Sequence, residues 1–167
     1  MKRLIALLAA LLVVPAFAAE PAKAPPAVTN LPPAFEHLKS LAGQWQGVGT
    51  GMETTTTSFE LVANGSVLME RLVPHGESPM VNMYHPDGSA VVMTHYCDAG
   101  NQPRMRCTKD GSSLAFTMSD VTNWKKGDTR MSGLTLVLVD ADHFKEEWAS
   151  DSGPEMGSFT MEFVRKK

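Results

Sequence analysis

Beyond Gly43 the chain alternates short runs rich in Val, Thr, Phe, Met and Leu with turn-forming clusters at Asn64-Gly65, Pro86-Asp87-Gly88, Asp110-Gly111 and Asp151-Ser152-Gly153. Runs of this length between such clusters are the pattern of strands joined by hairpins. They predict strands over about 44–51, 54–63, 66–73, 79–85, 89–97, 103–108, 112–118, 130–139, 142–149 and 156–164, with 119–128 as a longer connection. One stretch has the helical period instead: Phe35, Leu38 and Leu41 follow Pro33, which suits a first helical turn, and Gly43 ends the run. Ten strands joined mostly by tight turns leave no room for crossover helices. The expectation is an all-β fold, an antiparallel up-and-down β-barrel of about ten strands with a short N-terminal helix.

The N-terminal pattern is different. Lys2 and Arg3, the apolar run Leu4 to Val14 and the small-x-small triplet Ala16-Phe17-Ala18 predict a signal peptide over 1–18. The apolar run breaks at Pro15, short of the roughly 20 residues that span a bilayer. Residues 19–33 hold five of the eleven prolines and read as an extended linker, leaving 34–167 as the barrel domain. The mature chain is therefore expected in a periplasm or outside the cell, with no stable membrane insertion.

Composition narrows the function classes. With 15 basic and 18 acidic side chains the net charge is −3, so the chain has no overall basic field for a nucleic-acid partner. Catalytic signatures such as GxSxG, HExxH or a P-loop are missing from the sequence, and the Gly47-Val48-Gly49-Thr50-Gly51 run opens no helix. Glu146 and Glu147 are adjacent on one strand and face opposite ways, a poor acid/base pair. No catalytic residue is expected.

Gly43-Gln44-Trp45 follows the short helix directly. That order resembles the calycin barrels, the lipocalins and fatty-acid-binding proteins, whose first strand carries Gly-x-Trp. In lipocalins a basic residue near the last strand packs on this tryptophan, and Arg165 is placed to do so. The Gly43 to Gly51 segment is also similar to the first strand of nitrobindin-type haem barrels, in which an axial histidine lies on a strand near the C-terminus; Gly157 to Lys167 has none. Thr94 to Met105 resembles a stretch of uncharacterised exported bacterial calycin-like proteins.

Centring hairpins on the turn residues pairs Val62 with Val67, Arg71 with Asn82, Met69 with Tyr84 and Met93 with Asn82, which puts Glu60, Met69, Arg71, Asn82, Tyr84, Met93 and His95 on one face. Flexible methionines with a few separated polar groups suit a cavity wall, so this face is taken as the interior. Fatty-acid-binding proteins hold a carboxylate with an internal arginine and tyrosine, a role Arg71 and Tyr84 would fill; the alternative is an internal Arg71–Glu60 salt bridge. Trp45 joins the proposed lining, with Gln102 and Arg104 as rim residues or, alternatively, part of a simple turn. Trp124-Lys125-Lys126 is either a lid or a solvated loop. A hairpin centred on Gln102 sets Cys97 opposite Cys107 and predicts a disulfide in an oxidising compartment. The leading expectation is an exported binding protein for a small hydrophobic or amphipathic molecule. The alternatives are a periplasmic haem or copper protein using His95 with Cys97, Met80, Met93 or Met105, and a filled barrel serving as a structural or interaction domain.

Overall fold

The computed structural model describes residues 29–152 and 155–167, so the predicted signal peptide and most of the linker lie outside the described residues. Helix α1 (Pro33–Lys39) is followed by strands β1 (Gly43–Val48), β2 (Thr56–Val62), β3 (Val67–Val73), β4 (Met80–Asp87) and β5 (Ala90–Tyr96). Strands β6 (Gln102–Cys107), β7 (Ser113–Thr122), β8 (Thr129–Leu138), β9 (His143–Ser152) and β10 (Glu155–Arg165) complete the chain. Each pairs antiparallel with its neighbour in sequence, and β1 pairs with both β2 and β10, closing the barrel. The fold is the expected one. β7 runs on to Thr122, taking in part of the anticipated connection. β1 is shorter than expected because Gly47 admits a tight turn: a Cβ there would lie 2.6 Å from the Met52 carbonyl oxygen.

One end of the barrel is plugged. Phe35 and Leu38 of α1 are fully buried, and the Trp45 indole donates to the Leu41 carbonyl at 2.8 Å. Beneath the helix, Phe144 meets Trp45 edge-on at 4.8 Å, Phe59 at 5.6 Å and stacks on Phe163 at 4.8 Å. Such ring pairs add about 0.5–1.5 kcal/mol each beyond their buried area. Arg165 lies over the Trp45 ring at 4.0 Å and donates to the carbonyls of Ser40, Ala42 and Ala141, so the packing implied by the lipocalin resemblance is present.

Three register expectations need correction. In the β4–β5 pair Asn82 faces His95 and Met93 faces Tyr84, a two-residue shift from the expected Met93–Asn82 pair that leaves the facing unchanged. In the β3–β4 pair, Leu68 faces Tyr84 and Leu72 faces Met80. The connection therefore holds an odd number of residues, 73–79, where an even one was expected, and a one-residue slip inverts every side chain upstream. Glu60 and Arg71 are exposed on the outer face with Met69, and Phe59, Leu68, Glu70 and Leu72 point inward; no internal Arg71–Glu60 bridge exists. In the β5–β6 pair, Val91 faces Cys107 and the Cys97 amide bonds to Asn101. Cys107 thus sits six residues further along its strand, about 20 Å at about 3.3 Å per residue, far beyond disulfide reach. Both cysteines are free thiols.

Candidate functional site

Three of the predicted interior residues meet: Asn82 and Tyr84 from β4 and His95 from β5, all essentially without solvent exposure. Alternation along β2, β3 and β9 adds Thr57, Glu70, Glu146 and Trp148 to the same centre, none of them anticipated as site residues. Glu70 is its hub. Its Oε1 accepts from the Thr57 hydroxyl at 2.9 Å, and its Oε2 accepts from the Asn82 amide at 2.8 Å and the Tyr84 hydroxyl at 2.9 Å. Three donors on two oxygens is the arrangement an anionic carboxylate takes.

Glu146 is different. Burial first, and the nearby Glu70 charge second, push its carboxyl well above the usual carboxylate range. The Trp148 indole donates to its Oε2 at 3.0 Å; Oε1 is buried with no hydrogen-bond partner among the described residues. Burial, together with the Glu70 charge, also raises Tyr84, which stays a hydroxyl donor.

This network fixes the state of His95. The Asn82 amide nitrogen is committed to Glu70, so its oxygen faces His95 and the 2.7 Å contact to Nδ1 requires Nδ1 to be the donor. Nε2 is then a bare lone pair. It is buried without a partner, and burial holds the imidazole at a pKa of about 4, neutral at physiological pH.

His95 lies in the wall of a cavity of about 310 Å³ at the end of the barrel opposite α1. Leu72, Met80, Met131, Trp148, Phe159 and Met161 supply its apolar lining, and His75, Glu77 and Asp98 its other titratable side chains. Among the described residues, none that lines it is lysine or arginine. The fatty-acid reading fails here on two counts: Arg71 is outside the barrel, and the Tyr84 hydroxyl is held by Glu70. A carboxylate entering this cavity would find no cation and would face two acids.

The other predicted residues lie elsewhere. Trp45 is part of the closed-end plug and Met93 is buried in the core, outside the cavity lining. Arg104 forms a two-pronged pair with Asp120 on the outer surface, and Gln102 bonds to Thr122 and the Gly100 carbonyl. Trp124 is tied down, its indole bonded to the Asp128 carbonyl at 2.8 Å and covered by Arg130 at 4.1 Å. A sequence signal did exist for Glu146: Phe144, Glu146 and Trp148 alternate on one strand, which sets a carboxyl between two inward rings.

A haem does not fit. β10 carries no histidine to serve as the late-strand ligand, the cavity is at the low end of the small-molecule range of about 300–1,000 Å³, and the Trp148 ring crowds His95 at 5.0 Å.

No protein-family model and no curated protein matches the chain. Among solved structures it is similar to Rv2717c from M. tuberculosis, with a TM-score of 0.56 at 13% sequence identity, over 83% of this chain and 100% of that one. At that identity the likeness is one of fold alone, a closed antiparallel β-barrel.

Proposed function

We propose that the protein is an exported binding protein that holds a small hydrophobic or amphipathic molecule in the open end of its barrel. The observation that carries this is a largely apolar cavity whose wall includes His95, a residue whose Nε2 is buried without a partner. A buried acceptor without a donor costs about 1–3 kcal/mol, and a bound molecule with an apolar body and one N–H or O–H group would offset that cost. The lining sets the ligand's charge as well. With Glu77 and Asp98 present and no basic residue, a neutral or positively charged ligand is favoured over an acid. Export is supported by the basic, apolar and small-residue order of residues 1–18.

Phenylnaphthylamine, an apolar fluorophore with a single N–H donor, tests the reading. Its emission should rise on binding, phenylnaphthalene without the N–H should bind about 2–10-fold more weakly, as one hydrogen bond predicts, and a medium-chain fatty acid should not displace it. His95→Phe should erase the difference between the two aromatic probes. Failure of both probes to bind, together with native mass spectra of protein from its own compartment that show no bound molecule, would identify a filled structural barrel instead.

A further inference from the structure

We infer that the open end of the barrel is also a site for a soft monovalent metal ion, copper(I), held by the His95 imidazole and the thioethers of Met80, Met131 and Met161. This goes beyond the proposed function: it uses the same cavity but a different property of its wall.

The donor set is neutral and soft. His95 presents a lone pair whose tautomer is fixed from behind by Asn82 and Glu70, the kind of support that ligating imidazoles receive. Three methionines from three different strands, β4, β8 and β10, line the same cavity. Thioether side chains have three rotatable bonds and can swing sulfur toward a common point. Nitrogen and thioether donors select copper(I) over harder ions. Among the described residues no three His, Cys, Asp or Glu side chains converge, so zinc or manganese finds no comparable site.

The surroundings suit a single positive charge. The Trp148 ring lies 5.0 Å from the His95 ring, tilted at 50°, and lines the same cavity. Glu77 and Asp98 supply negative potential, and no basic lining residue opposes entry. Met80 and His95 are also linked through the backbone register: Asn82 pairs with His95, so Met80 lies one inward position further toward the opening.

The test is an anaerobic copper(I) titration of the full chain against bathocuproine disulfonate, in a Cys97→Ser, Cys107→Ser background that removes the two free thiols. Silver(I) in native mass spectrometry gives the stoichiometry. One ion per chain should be retained against the competitor. Met80→Leu, Met131→Leu and Met161→Leu combined should weaken retention at least about tenfold, and Asn82→Leu by about 10–100-fold, the usual effect of removing a residue that orients a ligand. Leucine keeps the wall apolar and nearly the same volume, so the circular dichroism and urea-unfolding midpoint of the triple variant should stay those of the parent, which separates loss of the donors from loss of the fold. Copper that is not retained by the parent, or that the triple and His95→Phe variants retain as tightly as the parent does, would overturn the inference and leave the organic-ligand reading to its own probe assay.

Discussion

Glutamine in place of Glu146 should change the pH dependence of stability in a way that reports directly on the buried centre. Besides Tyr84, two groups there titrate abnormally, in opposite senses. His95 is held at about 4 against 6.5 for the free ring, so below 6.5 the unfolded chain takes up a proton that the folded one refuses. Stability therefore falls as pH drops from 6.5 to about 4, by roughly 3.4 kcal/mol in all. Glu146 is shifted upward. Above about 4.3 the unfolded chain releases a proton that the folded one keeps, and stability falls by about 1.4 kcal/mol per pH unit as pH rises until the folded carboxyl titrates. The two slopes oppose one another from about pH 4.5 up to the pH at which the folded carboxyl titrates. The wild type should therefore gain less stability between about pH 4.5 and 6.5 than the His95 shift alone would give. Glu146→Gln removes only the second slope, because the amide keeps the shape of the side chain and does not titrate. Its unfolding free energy should rise by about 2.7 kcal/mol from pH 4.5 to 6.5 and then level off. Urea unfolding in half-unit pH steps, followed by the emission of the buried Trp45 and Trp148, measures both curves. Parallel curves for the two proteins would refute the protonation scheme, and so would a wild type that is already rising steeply across the interval.

Other perturbations test the plug and the registers. Phe144→Ala removes the ring that touches Trp45, Phe59 and Phe163 and should cost about 3–5 kcal/mol in chemical denaturation. Arg165→Gln loses the cation over Trp45 and the fork that binds three carbonyls; a loss of about 2–3 kcal/mol is expected, and a loss below about 0.5 kcal/mol would show that the stack is not structural. Protein unfolded without reductant should expose two reactive thiols per chain to a colorimetric thiol reagent, since Cys97 and Cys107 are unpaired; a result of zero would restore the disulfide and with it the discarded β5–β6 register.

The strands were legible because hairpin turns advertise themselves: Asn64-Gly65 and Asp87-Gly88 are local signals that bound the strands on either side of them. The β2–β3 pairing was legible for the same reason, with Val62 opposite Val67 across Asn64-Gly65. Facing was harder. The 73–79 connection has no two-residue turn to fix its parity, and one residue more or less exchanged Glu70 for Arg71 as the interior charge. Neither outer nor inner face of β3 is cleanly polar, so hydrophobicity did not arbitrate. The cysteine pairing failed by the same kind of displacement: the turn is centred near Ala99, earlier than Gln102, and a shift of three residues in the centre moves the partner by six. His95, Asn82 and Tyr84 kept their facing because the β4–β5 hairpin turns tightly around Gly88, where Asp87 pairs with Ala90.

The pairing of Glu70 with Glu146 is energetically unfavourable in itself, and that points back to the cavity. Two carboxyls sealed in an apolar barrel cost stability at neutral pH, and replacing buried ionic groups with packed apolar ones is often neutral or stabilising by about 1–4 kcal/mol. What the pair supplies here is direction: Glu70 fixes Asn82, Asn82 fixes the His95 tautomer, and the lone pair is left facing away from its support. Glu70→Met with Glu146→Met should therefore give a protein at least as stable as the wild type at pH 7, in which His95 is free to rotate its proton to either nitrogen. Binding should suffer where stability does not, with phenylnaphthylamine losing its advantage over phenylnaphthalene. A double variant that is strongly destabilised would mean that the pair is a packing requirement of the barrel. One that keeps the full N–H preference would mean that the imidazole is oriented by its tilted contact with the Trp148 ring alone.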